Sequence, residues 1–444
     1  MGGRAISSGA RSWSGKVVTS RQTSAVATII GIDIGTSGVR AAALADNGDL
    51  VEMVSAPFLN ADEGRSPSSW WARTSAALTE LAAKASLSCV RAIGVDGTSG
   101  TVLAIDSAGE PVGAPLMYND ACPDPSIVES ISRHAPADSP ARGSSSALAR
   151  AIHLSRQPQV SRVVHQADWI LMKLGHDGCA SDENNALKTG YDLVAEEWPD
   201  WIEWAGLDRR LLPIVQRAGA PLSVTTGFIR NLGVDKTCRF HAGTTDGCAS
   251  FLATGASQIG DGVTALGSTL VLKLASELPI NAPQYGIYSH RVLDFWLPGG
   301  ASNSGGGVIR SLFGDNRLEE LTKRIDPDQP TGLDFYPLPK AGERFPISDP
   351  NYAPGLEPRP ADEAIFFQAV LEGITEIERL GYERLTELGA ARLRSVRTVG
   401  GGAKNPVWTR MRQAVLAVPF AASNSTEAAV GTASLILQWQ DRQR

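Results

Sequence analysis

The stretch IIGIDIGTSGVRAAAL (residues 29–44) decides the fold that we predict for this chain. An apolar run ends at the carboxylate of Asp33, and a turn of glycine and hydroxyl residues follows at 35–38. A second apolar run then leads back to Asn47-Gly48, a strong signal for a two-residue hairpin turn. The segment DLVEMVSAP (49–57) adds a third strand. The pattern predicts an antiparallel meander whose first turn offers backbone N–H groups to an anion.

The sequence after this meander extends the same sheet. Apolar residues at helical spacing over 70–84 predict a helix, with Ser68 or Ser69 as its N-cap. VRAIGVDG (90–97) predicts a buried strand that passes through a Thr-Ser-Gly turn into TVLAID (101–106). The order β-β-β-α-β indicates a ribonuclease-H-like α/β arrangement.

The second half of the chain repeats this order. A strand at QIGDGVTALG (258–267), a turn at 267–269 and a returning strand at LVLKLAS (270–276) match the opening hairpin in pattern, which indicates an internal duplication. We therefore predict two α/β domains, at 28–255 and 256–440, with a cleft between them.

Glycine and proline mark the later elements. A long helix is predicted at 364–388, and Gly373 inside it lets another backbone approach closely because it has no side chain. Pro406 suits the first position of a helix and follows a Gly-Gly-Gly run. The remaining elements are predicted as a strand at 395–400, a helix from Pro406 to Val418, a strand at VPFAAS (418–423) and a last helix at 427–440.

Composition argues against several kinds of partner. The 444 residues carry 41 basic and 47 acidic side chains, a net charge of −6, so no basic excess is available for nucleic acid. No apolar run approaches the ~18 residues that span a bilayer, so no membrane partner is expected. Five scattered cysteines, without the close pairs of a zinc or redox site, predict a reducing compartment.

Residues 1–27 differ in composition from the rest, because they hold six Ser, four Lys or Arg and no acidic residue. Such a segment is typical of an organelle transit peptide. It predicts a protein of the chloroplast stroma whose mature chain begins near Thr28. The alternative is an ordinary disordered tail, or a misassigned start, in a cytoplasmic protein.

Four segments supply the parts that phosphoryl transfer needs, namely phosphate cradles, a metal that neutralises charge and a base beside the attacking hydroxyl. Asp33, with its turn and Arg40, can hold hydrated Mg²⁺ against the terminal phosphates. Gly267-Ser268-Thr269 matches that turn from the other domain. The run from Gly400 to Asn405 lets backbone lie against a flat base and ribose, and a helix N-terminus there can take an anion. Asp246 follows a Gly-Thr-Thr run between a predicted strand and a predicted helix.

Each of these segments has a purely structural alternative. A single acid such as Asp33 or Asp246 serves equally well as a helix cap or turn residue, and most glycine-rich turns are only turns. The four segments occur, however, in a fixed order across two similar halves: hairpin acid, strand-end acid, second hairpin, Gly-Gly-Gly loop. That order favours phosphoryl transfer.

With these motifs the chain resembles the FGGY carbohydrate kinase family, in the actin and hexokinase superfamily. The resemblance spans essentially residues 28–440 and is carried by GIDIGTSGVR, AGTTDGCAS, ALGST, VLEGI and GGGAKNPVW. It implies two ribonuclease-H-like domains around a cleft, with the sugar on the N-terminal domain and the nucleotide on the C-terminal one. ATP as co-substrate, Mg²⁺ as cofactor and a small sugar as acceptor are implied with it.

The resemblance also implies roles for single residues. Asp246 becomes the general base on a sugar hydroxyl, and Asp33 and Asp246 become the residues at the metal. The implied substrate-binding residues are Asp33, Ser37, Gly38, Val39, Arg40 and Asp246. The implied ATP-binding residues are Thr36, Gly267, Ser268, Thr269, Gly305, Gly401, Gly402, Ala403, Lys404 and Asn405.

Departures from the family's patterns bear on the sugar. Xylulose kinases carry a Gly-Gln-Met-His element after the strand that here reads GVDGTSGTV (94–102), and glycerol kinases carry Asn-Gln-Arg; neither element is present. The segment 96–100 looks more like ribulose kinases, and Tyr118 replaces a tryptophan in a Trp-Asn-Asp element. The chain is similar to the compact plant and cyanobacterial D-ribulose kinases, once called xylulose-kinase-like.

We therefore expect phosphorylation of D-ribulose to D-ribulose 5-phosphate. Three alternatives stay open at this point. The acceptor could be D-xylulose or another pentulose or polyol. The chain could instead be a low-activity, kinase-like partner that responds to nucleotide or sugar in a plastid complex, or a plain ATPase of the superfamily.

Overall fold

The computed structural model describes residues 26–143 and 146–443. The transit-peptide prediction for residues 1–27 therefore lies almost wholly outside the described residues, and it stays a prediction. Across the two described ranges, no helix has both the length and the apolar character that crossing a bilayer requires.

A six-stranded sheet organises the first half of the chain. Its elements, in chain order, are β1 (Ile29–Ile34), β2 (Gly38–Leu44), β3 (Leu50–Pro57), α1 (Pro67–Lys84), β4 (Ala92–Gly97), β5 (Val102–Ile105), β6 (Pro111–Leu116), α2 (Pro125–His134), α3 (Ala147–Ser155), β7 (Arg162–His165), α4 (Gln166–Leu174), β8 (Ala180–Asp182), α5 (Glu183–Leu187), α6 (Trp201–Ala205), β9 (Ile214–Gln216), β10 (Pro221–Val224), α7 (Gly227–Arg230), β11 (Arg239–His241) and α8 (Asp246–Ala253). The sheet has the order β10-β11-β4-β1-β2-β3. The first three strands form an antiparallel meander, and β4 and β11 continue it in parallel with β1. The predicted ribonuclease-H-like order is confirmed.

A five-stranded sheet organises the second half. Its elements are β12 (Asp261–Leu266), β13 (Leu270–Leu274), β14 (Tyr288–Val292), β15 (Phe295–Ser302), α9 (Gly306–Phe313), α10 (Leu318–Arg324), α11 (Glu363–Glu387), β16 (Ser395–Val399), α12 (Pro406–Leu416) and α13 (Ala428–Arg442). The order is β14-β15-β13-β12-β16, with β12 and β13 antiparallel and β16 parallel to β12. The second half thus repeats the hairpin and the parallel fourth strand of the first.

Three local predictions are refined by the structure. The strand expected at 418–423 is wrong as a full strand, because within it only Phe420 forms an isolated parallel bridge, to Val396. The first helix begins one turn earlier than expected, after Ser66, so the predicted caps lie inside it. The close approach at Gly373 is confirmed, since a Cβ there would lie 2.5 Å from the carbonyl oxygen of Phe335.

Both faces of β1 are covered, which explains its continuous apolar run. Ile30, Ile32 and Ile34 pack with α1 in the larger core of the first half. Ile29, on the opposite face, packs with Ala429 and its neighbours in α13. The last helix of the chain therefore returns to the first strand.

Two glycines let α13 approach its neighbours at backbone distance. A Cβ on Gly31 of β1 would lie 2.0 Å from the carbonyl oxygen of Ala429, and a Cβ on Gly431 would lie 1.8 Å from that of Ala249 in α8. Here the first lobe means the six-stranded sheet with its helices and α13, and the second lobe means the five-stranded sheet with α9–α12. The division predicted at residues 255 and 256 stays a prediction, and it did not include this return.

We predict that Gly431→Ala destabilises the protein, because its Cβ has no room against the Ala249 carbonyl. Overpacking of this kind costs about 1–3 kcal/mol or more, although alanine is the better helix former. Urea unfolding followed by circular dichroism measures the change. Ser434→Ala, three residues along the same helix and partly exposed, is the matched control and should leave the midpoint nearly unchanged. An equal midpoint for both variants would contradict the tight contact.

Candidate active site

A cavity of about 450 Å³ opens in the first lobe at the ends of β1 and β4. Asp33 and Asp246, far apart in sequence, both line it. So do Thr36, Ser37 and Arg40 from the first hairpin. Of these, Thr36 was expected at ATP and the others at the substrate or the metal. The structure therefore brings the two carboxylates and the first phosphate turn to one place.

Two predicted substrate residues do not line this cavity. The side chain of Val39 is fully buried in the hydrophobic core. Gly38 has a positive φ of 151°, and a Cβ there would lie 2.6 Å from Cα of Pro57. Gly38 thus lets the turn close against β3, and its assigned role and that of Val39 stay predictions.

Asp96 is a third carboxylate at this site. Because β1 and β4 pair in parallel, Asp33 lies directly opposite Asp96 in the sheet register. Asp96 is fully buried and accepts a hydrogen bond from Thr432 of α13. Oδ1 of Asp33 and Oδ1 of Asp96 are both buried, and neither accepts a hydrogen bond from a described N–H or hydroxyl group.

The two neighbouring carboxyls influence each other's ionisation. Burial and the charge of Asp246 together raise the pKa of Asp33 to about 6, against the lowering effects of Asp96 and Arg40. Burial and then the charge of Asp33 raise the pKa of Asp96 well above its ordinary value. Asp96 is accordingly the member of the pair that holds a proton and shares it with Asp33.

Arg40 connects this pair to the start of α13. Its Nη1 lies 3.4 Å from Oδ2 of Asp33, and its Nε lies 3.0 Å from Oε2 of Glu427. Glu427 and Thr426 both line the cavity. The last helix therefore contributes side chains to a site that the first hairpin begins.

Asp246 is the first residue of α8 and is mostly buried. Burial raises its pKa, against the lowering effects of Lys188, the Gly247 backbone N–H and Lys273. The Gly247 N–H donates to Oδ1 at 2.7 Å. An oriented carboxylate with a modestly raised pKa that faces a cavity has the properties of a general base.

A second cavity, of about 650 Å³, lies in the second lobe. Apolar side chains form much of its wall, among them Ile309, Leu318, Phe367 and Leu371. Such a wall suits the flat face of a nucleotide base. Six of the predicted ATP-binding residues line this cavity, namely Gly267, Ser268, Gly401, Gly402, Lys404 and Asn405.

The remaining predicted ATP residues of the second lobe lie around this cavity without lining it. The loop before α9 is hydrogen-bonded onto the second turn, because Gly306 N–H donates to Gly267 O and Gly307 N–H to Ser268 O, each at 2.9 Å. A Cβ on Gly305 would lie 2.8 Å from the backbone of Thr269. Gly305 and Thr269 thus hold the two loops together, and Ala403 lies in the short 3₁₀ helix 401–404.

The side chain of Asn405 is fully engaged within the protein. Its Oδ1 accepts from the Trp408 N–H and caps α12, and its Nδ2 donates to Oγ1 of Thr322 at 3.0 Å. It therefore braces the loop that forms one edge of the second cavity.

The donor set of the first cavity fits a magnesium ion that brings its own water and phosphate ligands. Within the described ranges no three His, Cys, Asp or Glu side chains are grouped as a complete metal site. Mg²⁺ commonly binds through one or two carboxylates plus substrate phosphates. Asp33, with its unpartnered Oδ1, and Asp246 are the residues that would hold it.

The motifs, the two similar halves and the paired cavities agree with the comparisons to known proteins. The model of the FGGY family of carbohydrate kinases matches residues 28–139 as the N-terminal domain and 262–437 as the C-terminal domain. The chain belongs to the FGGY family. It is accordingly a carbohydrate kinase, with a two-domain α/β fold of the actin and hexokinase type.

Several relatives carry more specific names. Xylulose kinase of Escherichia coli K12 is 22% identical over 409 residues, which cover 86% of this chain and 83% of that protein. Gluconokinase of Bacillus subtilis is 28% identical over 200 residues, 40% of this chain and 39% of that protein. The crystal structure of xylulose kinase from Lactobacillus acidophilus superposes with a TM-score of 0.79 at 18% identity, covering 93% and 89% of the two chains. At these identities the structural likeness establishes the fold and leaves the sugar open.

Sequence reasoning missed several residues that the structure brings to the site or beside it, among them Asp96, Glu427 and Lys273. Asp96 had a readable signal, because GVDGTSG (94–100) repeats the G-x-D and Thr-Ser-Gly pattern of GIDIGTSG (31–38). Glu427 and Lys273 had none, since each reaches the site only through the packing of its helix or strand.

We predict that Asp33→Asn stabilises the ligand-free protein above pH 6 and not below pH 4. Asp33 has its pKa raised from 3.8 to about 6, so the folded state takes up a proton in that interval. Below it the carboxyl is neutral in both states and contributes nothing. Above it the buried charge lowers stability by on the order of 1–3 kcal/mol, at roughly 1.4 kcal/mol per pKa unit.

Urea unfolding at about pH 7.5 and about pH 3.5 measures this difference. Asp208→Asn is a control of opposite sign, because hydrogen bonds from Arg210 lower the pKa of Asp208 to about 2. Its replacement should cost stability to a similar extent at both pH values, because the lowered pKa of Asp208 keeps its carboxylate ionised in the folded state at both. If Asp33→Asn is less stable than the parent at the higher pH, the burial argument is wrong.

Proposed function

We propose that the protein transfers the γ-phosphoryl group of ATP to a free pentulose, and that the pentulose is D-ribulose, giving D-ribulose 5-phosphate. The single observation that carries the proposal is that Asp246 and the first phosphate turn face one cavity in the first lobe. The nucleotide cavity of the second lobe supplies the place for the donor.

The choice of sugar rests on the residues around the first cavity. Where xylulose kinases carry Gln-Met-His, this chain has the small residues Thr-Ser-Gly at 98–100, and Thr98 lines the cavity. Tyr118 also lines it and is 44% exposed, so a phenol takes the place of an indole. These differences support D-ribulose over the D-xylulose that the names of several relatives suggest.

In the proposed mechanism Asp246 accepts the proton of a primary hydroxyl as that oxygen attacks the γ-phosphorus in line. The Gly247 N–H fixes one carboxylate oxygen, which leaves the other for the substrate. Thr36 and Ser37 offer hydroxyl and backbone donors to the transferred group. Bound Mg²⁺ would neutralise charge on the phosphates.

Water must be kept from the site, because it is a competing acceptor. The turns at 36–38 and 267–269 belong to different lobes, so closure of the lobes would bring them onto the phosphates from two sides.

The proposed site of action is the chloroplast stroma, and this proposal rests on the composition of residues 1–27 alone.

We predict that Asp246→Asn keeps nucleotide binding and lowers kcat by about 10²- to 10⁴-fold, because the amide cannot accept the proton. Release of ADP measures kcat, and calorimetric titration with a non-hydrolysable ATP analogue measures binding. The exposed Asp138→Asn is the matched control for the chemical change. Turnover at the parental rate in Asp246→Asn would exclude this residue as the base.

The sugar is tested by ADP release over D-ribulose, L-ribulose, D-xylulose, D-ribose, gluconate, pentitols and glycerol. We expect the highest kcat/KM with D-ribulose and little ADP without a sugar. A clear preference for D-xylulose would overturn the choice of sugar and keep the kinase. Equal ADP release with and without every sugar would indicate a plain ATPase.

A further inference from the structure

Lys273 is a cation of the second lobe with no acid beside it. It lies on β13, four residues after Thr269 of the second phosphate turn, and is partly buried. Among the residues that the structure describes, no carboxylate lies within ion-pair distance of its Nζ. A partly buried ammonium is costly unless a charge or a hydrogen bond nearby balances it.

The side chain of Lys273 reaches the catalytic helix of the first lobe. A Cβ on Gly247, the second residue of α8, would lie 3.3 Å from Cε and 3.8 Å from Nζ of Lys273. Gly299 pairs with Lys273 across β15, and a Cβ there would lie 3.2 Å from its Cγ. Two glycines therefore leave room for this one side chain to cross between the lobes.

His290 contacts the ammonium group of Lys273. Its Nδ1 lies 3.4 Å from Nζ of Lys273, and the ring is 3% exposed. Burial, then the charges of Lys273 and Lys188, lower the pKa of His290 well below its ordinary value. The imidazole is therefore neutral, and its Nδ1 accepts a hydrogen bond from the ammonium.

The ammonium of Lys273 interacts electrostatically with the carboxyl group of Asp246. Two lysines act on it electrostatically, Lys188 from the first lobe and Lys273 from the second. Lys188 follows α5 and also lies over the ring of Tyr288 in β14. Lys273 comes near Asp246 through the packing of the second sheet against α8, whose residues share one buried cluster with that sheet.

We infer that Lys273 is a positioning residue for Asp246, through which the second lobe supplies positive charge to the base of the first lobe. The inference rests on the proposed sugar-kinase function. It makes the charge around the base depend on the contact between the two lobes. Lys273 acts through Asp246 and has no contact with the nucleotide cavity in this role.

Kinetics of Lys273→Met and Lys273→Arg test the inference with whichever sugar gives the fastest ADP release. We expect Lys273→Met to lower kcat about 10- to 100-fold, with KM for ATP within about threefold of the parent, as for an interaction that matters in the transition state. Lys273→Arg, which keeps the charge, should recover most of that loss. Lys236→Met, at an exposed loop lysine, is the control and should match the parent. An unchanged kcat in Lys273→Met overturns the inference.

A double-mutant cycle separates positioning from direct binding. Because Lys273 acts through Asp246, Lys273→Met should change kcat less than about twofold when Asp246 is already Asn. Multiplying effects of the two changes would show that Lys273 acts independently and would overturn the inference.

The stability of the parent, of Lys273→Met, of Asp246→Asn and of the double variant gives a test that does not depend on turnover. The urea midpoint shift of the double variant should be smaller than the sum of the two single shifts, because each single change leaves one charge unbalanced. Additive midpoint shifts contradict the coupling even if no sugar in the panel is phosphorylated. Failure of the D-ribulose proposal changes only the sugar in the assay, so the two failures are distinguishable.

Discussion

The site depends on one close contact, the packing of α13 against β1 at the distance of two backbones. Gly31 permits it, and a larger residue there would separate the helix from the sheet, while Gly431 permits an equally close approach of α13 to α8. Because the helix lies so close, Thr432 reaches Asp96 and Glu427 reaches Arg40. The wall of the first cavity is thus shared between residues that follow the first strand and residues that begin the last helix.

The electrostatics of this cavity are unfavourable in the absence of ligand. Asp33, Asp96 and Asp246 lie near enough to affect one another's ionisation, and burial raises the pKa of each. Proteins retain such clusters where a cation or a proton completes them in function. Arg40 and Lys188 partly offset the charge within the first lobe, and Lys273 adds to this from the second.

The sequence alone was enough for most strands of the two sheets and not for the full site. Hairpin turns and the repeated order of strands predicted β1 to β4 and also β12, β13 and β16, because these signals are local, whereas β10, β14 and β15 were not predicted. The prediction of a strand at 418–423 was wrong. Its apolar composition indicated a strand, but only Phe420 forms a bridge to a neighbouring strand. Asp33 and Asp246 stood out through their motifs, whereas Glu427 and Lys273 matter only through long-range packing. No local sequence pattern predicts that a helix from the end of the chain packs against the first lobe.

The return of α13 also sets the order in which the molecule can be completed during synthesis. β1 is synthesised first, but its second face is covered only after the synthesis of α13, which begins at residue 428. At about 5–20 residues per second, translation of the intervening chain takes on the order of 20–80 s. During that time the Gly31 face of β1 is exposed on the nascent chain. The enzyme therefore cannot complete the first cavity before its last helix has left the ribosome, and a chain that ends before Thr426 would lack part of the wall of that cavity.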